Sequence, residues 1–73
     1  MTEPRIVCRL NEVLAEKGVS GRQLARMANT SEVVVTRLRR NAFQMIDSNV
    51  AARVCLALGV ELGELFTIEN GSQ

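Results

Sequence analysis

The feature that most constrains this chain is the short connection between two helical segments in its first half. Three residues, Asn29, Thr30 and Ser31, separate a segment that ends near Ala28 from one that begins at Glu32. A connection this short favours two helices that cross steeply instead of lying side by side. The apolar residues expected to hold them together are Leu24, Ala28, Val35 and Leu38, with the small Ala25 at the point of contact.

Capping residues and apolar spacing predict the other helices. Ser20 and Gln23 form a capping-box pattern, Ser31 and Asp47 are N-cap candidates, and Gly18 and Gly59 are typical of helix ends. The predicted helices span residues 5–17, 21–28, 32–40, 48–58 and 61–66, with a loop over 41–46. Their predicted inward residues outside the tight pair are Ile6, Leu10, Val13, Leu14, Ala51, Val54, Cys55, Leu58, Leu62, Leu65 and Phe66.

This pattern predicts an all-α fold of five helices. The 73 residues suffice for one small domain, which we expect to span residues 1–68. Residues 69–73 are polar and are expected to form a flexible tail. Asn29 is expected to adopt the left-handed conformation that the turn between the second and third helices needs.

The residue types exclude several classes of function. The chain has no His, and Cys8 and Cys55 lack the spacing of a zinc site, so we expect no metal, no cofactor and no enzyme activity. We predict that both cysteines are buried and reduced, with a redox switch as the alternative. No signal peptide or membrane-spanning run is visible, which predicts a cytoplasmic protein with no membrane partner and no evident small-molecule substrate.

The residues around the short connection resemble a known family. The run from Gln23 to Ser31, followed by Val35-Thr36-Arg37-Leu38, is similar to the Cro and phage-repressor type helix-turn-helix. The segments around Ile46-Asp47, residues 52–60 and Leu65-Phe66 resemble the later helices of that family, so the likeness covers about residues 5–66. Two positions depart from the pattern, because Asn29 replaces the turn glycine and Thr30 replaces an apolar residue.

The resemblance implies a λ-repressor-like domain that binds double-stranded DNA in the bacterial or phage nucleoid. Its third helix would insert into the major groove and contact base edges through Glu32, Val33, Thr36 and Arg37. Arg37 suits guanine O6 and N7, Glu32 suits cytosine N4, and Val33 suits a thymine methyl. The alternative is that these side chains form an ordinary solvated helix face.

Phosphate contacts are expected on either side of that helix. The candidates are Gly21, Arg22, Gln23, Arg39, Arg40, Asn41 and Gln44. The N–H groups at the start of a helix favour an anion, and arginine adds charge. For each arginine the alternative is a solvated surface charge.

The charge distribution agrees with this interpretation. The formal net charge is only +1, yet residues 1–40 contain eight basic and four acidic residues, and residues 41–73 contain one basic and four acidic residues. The two parts therefore have charges of +4 and −3, and the basic part contains the helix pair. We expect a repressor that binds a pseudo-palindrome as a homodimer, through Leu56, Val60, Leu62 and residues 66–68. The alternative is a protein-interaction or antitoxin-like module with the same fold.

Overall fold

The computed structural model describes residues 3–70 of the chain. Within that range the chain forms five helices and two strands. In chain order these are β1 (Pro4–Cys8), α1 (Leu10–Lys17), α2 (Gly21–Met27), α3 (Glu32–Arg40), α4 (Ser48–Leu58), α5 (Leu62–Leu65) and β2 (Phe66–Asn70).

Side-chain caps fix where the helices begin. The Ser20 hydroxyl accepts a hydrogen bond from the Gln23 N–H at 3.0 Å, and the Gln23 side chain accepts one from the Ser20 N–H at 2.9 Å. Ser31 and Asp47 likewise accept from N–H groups in the first turns of α3 and α4. These bonds satisfy N–H groups that have no partner inside the helix, so the three predicted helix starts are confirmed.

A left-handed residue follows each of the first four helices. The φ angles are +68° at Gly18, +53° at Asn29, +57° at Asn41 and +69° at Gly59. After α2, the Thr30 N–H donates to the Ala25 carbonyl at 2.9 Å and the Asn29 N–H donates to that of Arg26 at 3.2 Å. This is the Schellman pattern, which uses carbonyls that the helix leaves free. The predicted role of Asn29 in the turn is therefore confirmed.

The two ends of the described chain pair as strands, so the prediction of an all-α fold is wrong. β1 and β2 form an antiparallel sheet in which Arg5 lies opposite Glu69 and Ile6 lies opposite Ile68. Residues 5–8 were expected to begin the first helix, with Ile6 in the core. Ile6 is instead on a strand and is 51% exposed.

The sheet also changes the end of the chain. α5 is shorter than the predicted helix 61–66, because Phe66 begins β2, and Leu62 is 59% exposed instead of buried. Glu69 and Asn70, which were expected to belong to the tail, continue β2. Residues 71–73 of that predicted tail lie outside the described residues.

The core is aliphatic and lies between the helices and the inner end of the sheet. Its members are Cys8, Leu10, Val13, Leu14, Leu24, Ala25, Ala28, Val35, Leu38, Val54, Cys55, Leu58 and Leu65. Both cysteines are free thiols, as predicted. Burial raises the pKa of Cys8 to about 11 and also raises the pKa of Cys55. Both raised pKa values favour the neutral thiol near pH 7.

Two negative findings apply to residues 3–70. None of the helices there is both long and apolar enough to cross a membrane. No three side chains of the His, Cys, Asp or Glu type come together in that range as a metal site would require.

Asn41 joins the end of α3 to β1. Its side-chain oxygen accepts from the Cys8 N–H at 2.6 Å, and its Nδ2 donates to the Cys8 carbonyl at 3.2 Å. The same residue is the left-handed cap of α3. A glycine would satisfy the backbone at this position, but only an amide side chain also pairs with the strand.

Replacement of Asn41 separates these two roles. Asn41→Gly keeps the left-handed backbone and loses both side-chain bonds, so we expect it to lower the free energy of unfolding by about 1–2 kcal/mol. Asn41→Ala adds a left-handed Ala and should cost about 1 kcal/mol more. Urea unfolding measures both differences. Asn29→Gly is the matched control, with an expected change below about 0.5 kcal/mol. An Asn41→Gly variant as stable as the original protein would contradict the role of the amide.

Candidate nucleic-acid interface

One side of α3 packs into the core and fixes the orientation of the other. Val35 and Leu38 are almost completely buried, at 1% and 4% exposed, as their spacing predicts. Val34 packs partly against the same core. Val33 points away from it and is 59% exposed. The outward face of this highly charged helix therefore includes one exposed apolar side chain.

The outward face of α3 is a shallow groove. It is lined by Glu32, Val33, Thr36, Arg37, Arg40 and Ala42. The structure therefore brings together the four side chains predicted to contact bases, and all four are exposed. They offer one carboxylate, one hydroxyl, one guanidinium and one apolar surface, which are the groups that distinguish base edges in a major groove.

The first residue of α2 lies against α3. A Cβ at Gly21 would stand 2.9 Å from Nη1 of Arg39 and 3.4 Å from Cγ1 of Val35. This position has room for no side chain unless the Arg39 guanidinium moves. Two of the predicted phosphate-contacting residues, Gly21 from α2 and Arg39 from α3, are thus brought together.

The other predicted phosphate-contacting residues have different surroundings. Gln23 uses its N–H and its side-chain oxygen in the cap of α2. Asn41 uses its amide on Cys8, with one Nδ2 hydrogen left over. Gln44 lies exposed in the loop between α3 and α4. Arg22 and Arg40 are exposed, and whether any of these residues contacts phosphate stays a prediction.

The arginines on the outward face lack acidic partners. Among residues 3–70 the ion pairs within 4 Å join Arg5 to Glu69, Arg9 to Glu12 and Arg22 to Glu32. The last is loose, at 3.9 Å between Nε and Oε2, and both side chains are well exposed. Exposed pairs of this kind contribute little stability. Arg37 and Arg40 therefore keep charges available for an external anion.

Two residues that the sequence did not single out help to place the helices. Arg53, on α4, donates from Nε to the Ala28 carbonyl at 2.9 Å and so satisfies the end of α2. Asn11, on α1, bonds to Arg39 of α3. Both contacts join residues more than 20 positions apart, and neither residue lies in a local pattern that would reveal its partner.

Comparisons with known proteins show which family and fold this chain resembles. Residues 9–71 match the family of Cro/C1-type HTH DNA-binding domains. The crystal structure of a protein from Bacteroides fragilis, described as "a putative DNA-binding protein", superposes with a TM-score of 0.75 at 28% sequence identity. The match covers 86% of this chain and 100% of that one. No curated protein sequence matches this chain.

The two faces of α3 are distinguished by a pair of truncations. Val35→Ala removes buried methyl groups and should lower the free energy of unfolding by about 2–3 kcal/mol. Val33→Ala removes exposed ones and should change it by less than about 0.5 kcal/mol. Urea unfolding compares the two variants directly. Equal losses would mean that Val33 is also packed in the core.

Proposed function

The chain belongs to the family of Cro/C1-type HTH DNA-binding domains, and from that premise we propose that it is a sequence-specific transcriptional regulator. In this proposal α2 and α3 are the helix-turn-helix, and α3 is the helix that enters the major groove. The observation that most supports this is the outward groove of α3. Four side chains suited to base edges line it together, while the opposite face of the same helix is locked in the core.

Each of the four has a proposed partner on DNA. Arg37 makes a bidentate contact with guanine O6 and N7, and Glu32 accepts from cytosine N4. Val33 packs on a thymine methyl, and the Thr36 hydroxyl bonds to a neighbouring base edge. The exposure of Val33 supports this assignment, because a thymine methyl is an apolar partner available in the major groove.

The proposed phosphate contacts flank the groove. On the side of α2 they are Gly21, Arg22 and Gln23, and on the side of the loop after α3 they are Arg39, Arg40, Asn41 and Gln44. These contacts position the protein and are independent of base sequence. The absence of an acidic partner for Arg37, Arg39 and Arg40 among residues 3–70 supports this division of roles.

A second copy of the chain completes the proposed site. One domain of this size contacts few base pairs, and a homodimer would bind two half-sites about 10 base pairs apart. Leu56 is 81% exposed and Ile68 is 75% exposed, and both belong to the surface predicted from sequence. Ile6, which faces Ile68 across the sheet, extends that apolar surface. Occupation of a promoter by such a dimer would repress transcription.

The proposal also covers the extent of the domain, its location in the cell and its lack of catalytic activity. The chain acts as one domain over residues 1–68, extended by residues 69 and 70 of β2. It acts on double-stranded DNA in the cytoplasm, without catalysis.

Selection of bound sequences from a random duplex pool tests binding, specificity and half-site spacing together. A pool that stays random after repeated selection would contradict sequence-specific binding.

Arg37 and Arg40 should respond differently to truncation. Arg37→Ala should cost about 1–3 kcal/mol of binding free energy and relax preference at one position of the selected site. Arg40→Ala should weaken binding to selected and unrelated duplexes equally and reduce the salt slope by about 1. Fluorescence anisotropy over a range of salt concentrations measures both effects. Binding that is insensitive to salt would instead favour an apolar protein-interaction module.

The dimer is tested by placing a charge on its proposed surface. At high micromolar concentration the original protein should be a dimer and Leu56→Lys should be a monomer, as measured by sedimentation equilibrium. The variant should stay folded, because Leu56 is exposed in the single subunit. Met45→Lys is the matched control, because Met45 is 89% exposed and lies outside the proposed surface. A monomeric original protein at that concentration would contradict the dimer.

A further inference from the structure

Asn11 holds Arg39 at two points. The Arg39 Nε donates to the Asn11 Oδ1 at 2.6 Å, and the Asn11 Nδ2 donates to the Arg39 carbonyl at 3.3 Å. One amide on α1 thus binds both the side chain and the backbone of the same residue on α3. Because Nε sits at the base of the guanidinium, its hydrogen bond restricts how that planar group rotates.

The held guanidinium lies across the start of α2. Nη1 of Arg39 is 2.9 Å from the place that a Cβ would occupy at Gly21, and Cδ of Arg39 is 3.8 Å from it. Gly21 therefore leaves the space through which the arginine passes. An Ala at this position would displace the far end of a flexible side chain, while the backbone conformation would suit Ala equally well, since φ is not positive.

The Arg39 guanidinium has donor groups beyond the one that Asn11 binds. Among residues 3–70 no carboxylate forms an ion pair with Arg39. With Nε occupied by Asn11, the two terminal nitrogens remain for an external acceptor. Asn11, Thr36, Arg39 and Arg40 line one small hollow, so a second arginine borders the same space. Two guanidiniums and a hydroxyl are suited to the oxygens of a phosphate.

We propose that Asn11 is a positioning residue for DNA binding, which fixes the Arg39 guanidinium over Gly21 as a preorganised contact for one backbone phosphate. The inference rests on the proposed function of the domain. A free arginine loses rotamer freedom when it binds, whereas one already held by Asn11 loses less. Asn11 itself touches no DNA in this proposal. It acts through Arg39, and Gly21 supplies the space for the held conformation.

Arginine Nε–H signals in the NMR spectrum test the first step in the free protein. The Arg39 signal, identified by its loss in Arg39→Ala, should be shifted and protected from exchange in the original protein. Asn11→Ala should abolish that protection, and Gly21→Ala should change the shift. An Arg39 signal that matches those of the other exposed arginines and is unaffected by Asn11→Ala would overturn the proposal.

Binding to a duplex recovered from the random pool, and to an unrelated duplex of equal length, tests the second step. Arg39→Ala should weaken binding to both about tenfold and lower the salt slope by about 1. Asn11→Ala and Gly21→Ala should each weaken binding about threefold. Both should keep nearly the original salt slope, because the charge of Arg39 remains. In the Arg39→Ala background, both substitutions should have no further effect.

Two controls separate this role from a structural one. Gly63→Ala meets no atom within 4 Å and should leave binding unchanged. Thermal unfolding should show Gly21→Ala to be as stable as the original protein, because the added methyl displaces only the flexible end of Arg39 and lies 3.4 Å from Cγ1 of Val35. If Gly21→Ala is stable, unfolding does not explain its loss of binding. A loss that disappears in the Arg39→Ala background then reflects displacement of Arg39 and not the contact proposed for Gly21 itself, even if Asn11→Ala folds poorly.

The outcomes also separate this inference from the function on which it rests. An original protein that binds neither duplex overturns both. An original protein that binds, together with single variants that bind equally well, overturns only the role of Asn11. Effects of Asn11→Ala that persist in the Arg39→Ala background also overturn it, because Asn11 would then act by another route.

Discussion

The close packing of α2 on α3 is the contact on which the rest of the structure depends. Gly21 lies against Val35, and Ala25, on the same helix, is buried in the core. The left-handed Asn29 lets the chain reverse within a few residues. With the inner face of α3 fixed in this way, its outward face has one defined orientation. The proposed base contacts all depend on that orientation.

Polar side chains then join this helix pair to the remaining elements. Asn41 pairs with the backbone of Cys8, Arg53 satisfies the carbonyl of Ala28, and Asn11 bonds to Arg39. Each contact joins segments that are far apart in the sequence, and most of them involve a backbone group at a helix end or a strand. A small aliphatic core determines which elements pack, and these directional bonds add a preferred geometry to that packing.

The basic and acidic residues are unevenly distributed along the sequence. The formal net charge of +1 is the sum of a basic first part and an acidic second part. Residues 1–40 are basic and contain the helix pair, and residues 41–73 are acidic and contain the exposed Leu56 and Ile68. A low net charge gives weak non-specific attraction to DNA. Under the proposed function, affinity therefore depends on a few placed contacts and on the second subunit. This is why the position of a single guanidinium matters for binding.

The sequence by itself determined the helix starts, the left-handed ends, most of the core and the helix face that the four candidate side chains share. These features depend on neighbours within a few positions, such as Ser20 with Gln23 or Val35 with Leu38, so local patterns reveal them. The sheet, the exposure of Ile6 and the bonds made by Asn11, Asn41 and Arg53 were decided only by the tertiary structure. Ile6 fits a helical pattern locally, but it pairs with Ile68 at the other end of the chain. No local pattern contains a partner that distant, and only the folded chain brings the two residues together.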